Sequence, residues 1–155
     1  MNEGRMQDYL YQWLEKRGQL FITPNVKLFG DNEADLVSIS RSKMITEYEI
    51  KISVADFNRE FKDKSLKHTF LRGGNTFKTY TPNYFCFVFP ESIYKGSLEI
   101  PFYSGVIVVR KSGQLGVIKK AKRIHTLPAT KRDINYLSRG LMYRYWGMRL
   151  KRKAA

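Results

Sequence analysis

Two acids and a lysine in this sequence have the types and spacing to act on a phosphodiester. Asp35 lies about one hairpin length before Glu49 and Lys51, which are themselves two residues apart. Phosphodiester hydrolysis calls for a hard divalent cation that polarises a phosphoryl oxygen and activates water. Mg²⁺ does this through a few carboxylates while keeping several waters. Asp35 and Glu49 could supply those carboxylates. Lys51, a compact point charge, could hold the attacking water or offset the charge that develops on the phosphoryl oxygens. A Glu-x-Lys pair alone is usually a solvated, salt-bridged strand face, so the expectation depends on the surrounding elements.

Strand period puts Glu47, Glu49 and Lys51 on one side of a strand over Met44–Ser53, and Met44, Thr46, Tyr48, Ile50 and Ile52 on the other. The apolar side predicts core, and the polar side predicts a cleft or solvent. A strand over Ala34–Ile39 would bring Asp35 alongside. Upstream, Met6, Tyr9, Leu10, Trp13 and Leu14 recur at helical spacing ahead of Gly18, predicting a helix over 3–17. Leu20–Phe29 reads as extended, with Pro24 confining it to an edge or a bend. Gly30-Asp31-Asn32 supplies a turn. Downstream, Ser53 with Asp56 caps a helix that Val54, Phe57 and Phe61 carry from 54 to about 68.

Leu71–Thr81, containing Gly73-Gly74-Asn75, reads as a loop. Tyr84–Phe89 is a continuous apolar run closed by Pro90, as for a strand covered on both faces. Val106–Val109 is similar, Lys111–Gln114 predicts a hairpin turn, and Leu115–Ile118 returns antiparallel. Thr130 with Asp133 opens a last helix with the stripe Ile134, Leu137, Leu141 and Met148. This order predicts a single α/β domain over 1–150, a central mixed β-sheet flanked by α-helices, with 151–155 as a frayed basic tail.

Ala34-Asp35-Leu36, Glu49-Ile50-Lys51, Ser53 and Asp56-Phe57 together resemble the core of the PD-(D/E)xK restriction-endonuclease-like superfamily. Lys67-His68, Asn83–Phe89 with Pro90-Glu91, Ile100-Pro101, Gly105-Val106-Ile107 and Lys119–His125 extend the similarity to small MmcB-like and phage-encoded nuclease-like proteins. The resemblance implies a restriction-endonuclease-like fold and a Mg²⁺-dependent DNA nuclease, with Mn²⁺ able to substitute. It places such an activity in DNA repair, recombination or phage DNA metabolism. It also implies Asp35 and Glu49 as metal ligands, Lys51 as the catalytic lysine, and a site where the second and third strands diverge. Many members carry a glutamate on the first helix. Here Gln7 stands on the face that would meet the site, with Glu3, one turn earlier, as the alternative ligand. Ala34 stands where the superfamily's name has proline. Many such nucleases act as dimers, so the resemblance allows a homodimer.

Lys62, Lys64, Lys67 and His68 on the second predicted helix, with Arg72 beyond it, could meet neighbouring phosphates or form a solvated cationic face. In the last helix Arg139, Arg144 and Arg149 interleave with Tyr143, Tyr145 and Trp146. That pattern suits a nucleic-acid backbone with exposed bases, and also core packing and a helix C-terminus. His68 and His125 lack zinc-ligand spacing, and Cys86 has no partner for an internal disulfide, which fits a reducing compartment. The chain carries 28 Lys and Arg against 14 Asp and Glu, and its charge of +14 points to a polyanion. DNA is the expected partner, with RNA also open, and a non-catalytic nucleic-acid-binding module on the same fold is the alternative reading. No apolar run is long enough for a membrane span, and residues 1–10 lack a secretory apolar core, so a cytoplasmic protein is expected.

Overall fold

The computed structural model describes residues 1–73 and 80–154. Its elements are α1 (Glu3–Lys16), β1 (Phe21–Val26), β2 (Ala34–Ile39), β3 (Ile45–Ile50), α2 (Val54–Asp63), α3 (Ser65–Gly73), β4 (Tyr84–Pro90), β5 (Ser104–Val109), β6 (Leu115–Lys119) and α4 (Lys131–Ala154). Within the expected loop over 71–81, residues 71–73 finish α3, and the stretch 74–79, with Gly74-Asn75, lies outside the described residues.

The strands form one mixed sheet in chain order from β1 to β6. β3, β4 and β5 run parallel to one another, and the remaining pairs are antiparallel. The parallel step from β3 to β4 needs a crossover, which α2 and α3 provide. Pro24 falls on the edge strand β1, where its missing N–H breaks no interior ladder. The continuous apolar run of β4 lies between β3 and β5 and is buried on both faces.

One sheet face, with Leu36, Tyr48, Ile50, Cys86, Val88, Ile107 and Val109, packs on the Met6, Leu10 and Leu14 stripe of α1. Asn2 caps that helix by accepting from the Arg5 N–H at 2.9 Å. The opposite face carries Phe85, Phe87, Phe89, Val106 and Val108 against Phe57 of α2 and Leu71 of α3. Further along, toward β1, Val26, Ala34, Val37, Ile39 and Ile45 meet Ala129 and Leu137 of α4. Thr130 and Asp133 cap α4 reciprocally, each accepting from the other's backbone N–H at 3.2 and 2.7 Å.

Residues 120–130 carry the chain from β6 at one sheet edge to α4 beside β1 at the other. The Lys122, Ile124 and Ala129 N–H groups donate to the Tyr103, Asn83 and Lys43 carbonyls along the way. Buried Asn83 fastens this sash: its Nδ2 donates to the His125 and Leu127 carbonyls, and its Oδ1 accepts from the Ile45 N–H. The sash passes so close to β5 that a Cβ on Gly105 would stand 2.8 Å from the Ala121 nitrogen, so only glycine fits there.

Three element expectations change. The helix predicted from 54 to about 68 is two helices broken at Lys64, a bend that lets Lys64 on one side and Lys67 and His68 on the other reach inward to carboxylates. The last helix does not fray at Lys151-Arg152-Lys153 but runs to Ala154. Its apolar stripe is used only in part: Leu137 is fully buried, whereas Met148 stands 59% exposed.

Candidate active site

β2 and β3 pair from Ile39–Ile45 to Leu36–Tyr48 and then part. Beyond the last pair, the Ile50 N–H donates to Asp35 Oδ2 at 2.6 Å, and the Lys51 N–H donates to the Val88 carbonyl of β4 at 2.9 Å. The expected trio is therefore brought together, with Asp35 on one lip of the opening and Glu49 and Lys51 on the other. Asp35 is half-buried. Burial first, and the charge of Glu49 second, push its carboxyl up to about 7 against the opposing Ile50 hydrogen bond. Exposed Glu3 is near enough that its charge adds to this shift. Gln7 approaches as an amide: its Nε2 donates to the Asp35 carbonyl at 2.9 Å and to Asn25 Oδ1 at 2.8 Å.

The polar side of β3 does not look onto a cleft or solvent, as its alternation predicts. Glu49 is fully buried, and Glu47 and Lys51 are 5% and 6% exposed, beneath α2 and α3. The reason is a second set of charges on those helices. Lys64 Nζ donates to both Glu49 oxygens at 2.9 and 3.0 Å, Lys67 Nζ to Oε1 at 2.5 Å, and Lys51 Nζ to Oε2 at 3.3 Å. Glu60 of α2 meets the same three ammonium groups, at 2.7 Å for Lys51, 3.5 Å for Lys64 and 3.3 Å for Lys67. His68 Nε2 donates to Glu60 at 3.1 Å, and its Nδ1 lies 2.6 Å from the Tyr103 hydroxyl. Glu47 pairs with Lys67 at 2.8 Å.

Burial works to raise Glu60, but the His68 hydrogen bond and the Lys67, Lys51 and Lys64 charges outweigh it and hold Glu60 well below the usual carboxylate range. Burial would likewise lower Lys51 and Lys67, and the surrounding carboxylates reverse that, keeping both ammoniums charged. Three carboxyl groups, Glu47, Glu49 and Glu60, thus meet three ammoniums in the buried cluster, and burial raises Glu47 as it does Asp35.

Lys67 and His68 thus correct the expectation of a cationic face toward nucleic acid: they are 6% and 4% exposed and turn inward to acids. Lys64 is half-buried on Glu49, and Lys62 and Arg72 stay exposed. On α4, Arg144 donates to the Pro24 and Asn25 carbonyls, tying the helix to β1. Arg139 and Arg149 are exposed, each donating to a tyrosine hydroxyl one turn along, Tyr143 and Tyr145 respectively. Buried His125 is spent on structure, its Nε2 facing the Thr81 carbonyl at 3.0 Å. Burial pushes the Cys86 thiol up to about 12, which leaves it a core side chain.

Glu60 is the site residue that strand period could not find. It lies between Phe57 and Phe61 on the inward stripe of α2, and Lys64, Lys67 and His68 follow at i+4, i+7 and i+8. An acid embedded in an apolar stripe and followed by cations on one face is the signal that marks it. Among the described residues no three His, Cys, Asp or Glu side chains form a group ready to hold a metal ion. Two carboxylates, Asp35 and Glu49, nonetheless suit Mg²⁺, which takes one or two and keeps its waters. Holding it requires Lys64 and Lys67 to release Glu49.

No family model matches the chain, and no curated protein matches it. A solved structure described as the SPO1766 protein of unknown function from Silicibacter pomeroyi is similar in fold. Its TM-score is 0.64 at 15% identity, over 88% of this chain and 83% of that one. Among the described residues the architecture is an α/β domain, with a six-stranded mixed sheet and four helices. Among the described residues no helix is long and apolar enough to cross a membrane.

Proposed function

We propose that this chain is a metal-dependent DNA nuclease on a restriction-endonuclease-like fold, with Asp35 and Glu49 holding Mg²⁺ or Mn²⁺ and Lys51 assisting hydrolysis. The observation that carries the reading is the parting of β2 and β3, where the Asp35 carboxyl is fixed to the Ile50 N–H beside Glu49 and Lys51. The cation would supply Lewis acidity and a water of lowered pKa. The protein's part is to hold the Asp35 carboxyl on the Ile50 N–H, to keep Lys51 charged through Glu49 and Glu60, and to fix Lys51 through its N–H on Val88. Lys51 then offsets charge on the phosphoryl oxygens.

The test is cleavage of supercoiled, linear, single-stranded and branched DNA with Mg²⁺, Mn²⁺ or chelator. Wild type is expected to cut only with metal, and Asp35→Ala and Lys51→Ala to lose about 100-fold or more. Cutting that survives in chelator or in both variants would sink the proposal. One observation favours a second reading, a binding module without turnover: both Glu49 oxygens are occupied by lysines, and the first helix offers an amide in place of a carboxylate. In that case wild type binds DNA, and added metal produces no product.

A further inference from the structure

Between β1 and the first half of α4 lies a groove of about 690 Å³. On its α4 wall Arg132, Tyr136, Arg139 and Tyr143 follow one another at i, i+4, i+7 and i+11, one helical stripe in which cation and ring alternate. Asn25 and Lys27 stand on the other wall. Arg139 lies 5.8 Å from the centre of the Tyr143 ring and donates to its hydroxyl at 3.1 Å. Tyr136 and Tyr143 are 51% and 60% exposed. The walls are fixed, because Arg144 binds the Pro24 and Asn25 carbonyls.

Two hydrogen-bond chains join this groove to the candidate active site. Asn25 Oδ1 accepts from Gln7 Nε2, which also donates to the Asp35 carbonyl. Glu33, which also lines the groove, offers its carbonyl to Lys64 Nζ at 3.3 Å, and the same ammonium binds Glu49.

We infer that this groove binds a single-stranded stretch of nucleic acid, phosphates on Lys27, Arg132 and Arg139 and bases against Tyr136 and Tyr143, and leads it toward Asp35 and Glu49. The last step rests on the nuclease proposal, while the binding itself stands on the groove. Charge selects a polyanion, since Lys27, Arg132, Arg139 and Arg144 line the groove against one acid, Glu33. The rings select its form: in a duplex the bases already stack on one another, so two open aromatic faces gain nothing, whereas unpaired bases stack on them regardless of sequence. The size agrees, because about 690 Å³ is the volume of a site for a small organic molecule, enough for splayed nucleotides and too little to enclose a duplex.

The experiment measures binding, in chelator, of a labelled single-stranded DNA oligomer and of the duplex of the same sequence. It compares wild type, Tyr136→Ala, Tyr143→Ala and, as a control on α1, Tyr11→Ala, which is also exposed. Each groove variant is expected to bind the single strand about 5- to 150-fold more weakly, with duplex affinity changed less than about twofold. Arg132→Gln and Arg139→Gln should each make the salt dependence shallower by about 0.7 in log K against log salt. Unchanged single-strand binding in both tyrosine variants, equal losses for single strand and duplex, or a wild type that prefers duplex would each overturn the inference. Cleavage is read separately with Mg²⁺. Tyrosine-dependent binding without cutting keeps the groove and discards the nuclease, and cutting with tyrosine-independent binding does the reverse.

Discussion

Burial and the charge of Glu49 push the Asp35 carboxyl up to about 7, into the neutral range. Below the usual carboxylate range it is protonated in both folded and unfolded chains, so it contributes nothing to a difference between them. As pH rises the unfolded chain ionises first, while the folded one holds its proton to about 7, so stability falls through that window and the loss is complete above it. Asp35→Asn keeps an acceptor for the Ile50 N–H. It should equal wild type below about pH 3 and exceed it by on the order of 2–4 kcal/mol at pH 8 in urea titrations, since ionisation there costs folding free energy. Parallel pH curves for the two proteins would show that Asp35 ionises normally. Glu60 works in the opposite sense, adding stability that is lost in acid, and cancels in this comparison.

Lys67 touches Glu47, Glu49 and Glu60 in the buried cluster. Lys67→Met leaves those acids short of a cation and should cost about 3–5 kcal/mol in the same titration. Lys62→Met, at an exposed position, should change stability by about 0.5 kcal/mol or less. Sequence spacing brings Asp35, Glu49 and Lys51 into view because strand period and hairpin length are local properties. It misplaces Lys67 and His68 because a cation on a helix reads as solvated until the acid it pairs with is known, and that acid comes from another element.

Among the elements, α4 depends on the fewest contacts for its length. Leu137 is the side chain it buries fully, against Val26, Ala34, Val37, Ile39 and Ile45 of the sheet. Leu137→Ala should cost about 2–5 kcal/mol by thermal or chemical unfolding and loosen the groove wall that α4 forms. A cost within the noise of a surface substitution would mean that α4 is held mainly by Arg144. The strands were readable because β4 is apolar throughout and Gly113, with φ at 84°, marks the β5–β6 turn. The break between α2 and α3 was not, since no Gly or Pro stands at Lys64 and the bend serves tertiary ion pairs. The end of α4 departs from the expected fraying for the converse reason: nothing in Lys151-Arg152-Lys153 stops a helix, although these residues stay exposed.

For the molecule as a whole, the charge of +14 is unevenly spent. The buried lysines pair with acids, whereas α4 holds eight of the cations on a mostly exposed helix. Ending the chain at Gly147 removes Arg149, Lys151, Arg152 and Lys153 together with exposed Met148 and Leu150. Folding stability should change by about 0.5 kcal/mol or less. The slope of log affinity for DNA against log salt should become shallower by about 0.7–0.9 for each phosphate those cations meet. An unchanged slope would place the nucleic-acid surface on the groove half of the helix.

The sash over 120–130 also sets an order in time. Every strand pairs with its sequence neighbour, so the sheet can assemble through closures far shorter than the one that brings α4 to β1, and α4 reaches β1 only after the chain has crossed the strand ends. That closure spans most of the chain and is entropically expensive until the sheet exists to receive it. The α4–β1 contact therefore belongs to the last steps of folding and the first of unfolding. Stopped-flow kinetics should show Leu137→Ala accelerating unfolding while leaving the folding rate nearly unchanged. The groove would then be a part of the molecule that opens while the sheet and its buried charges stay intact.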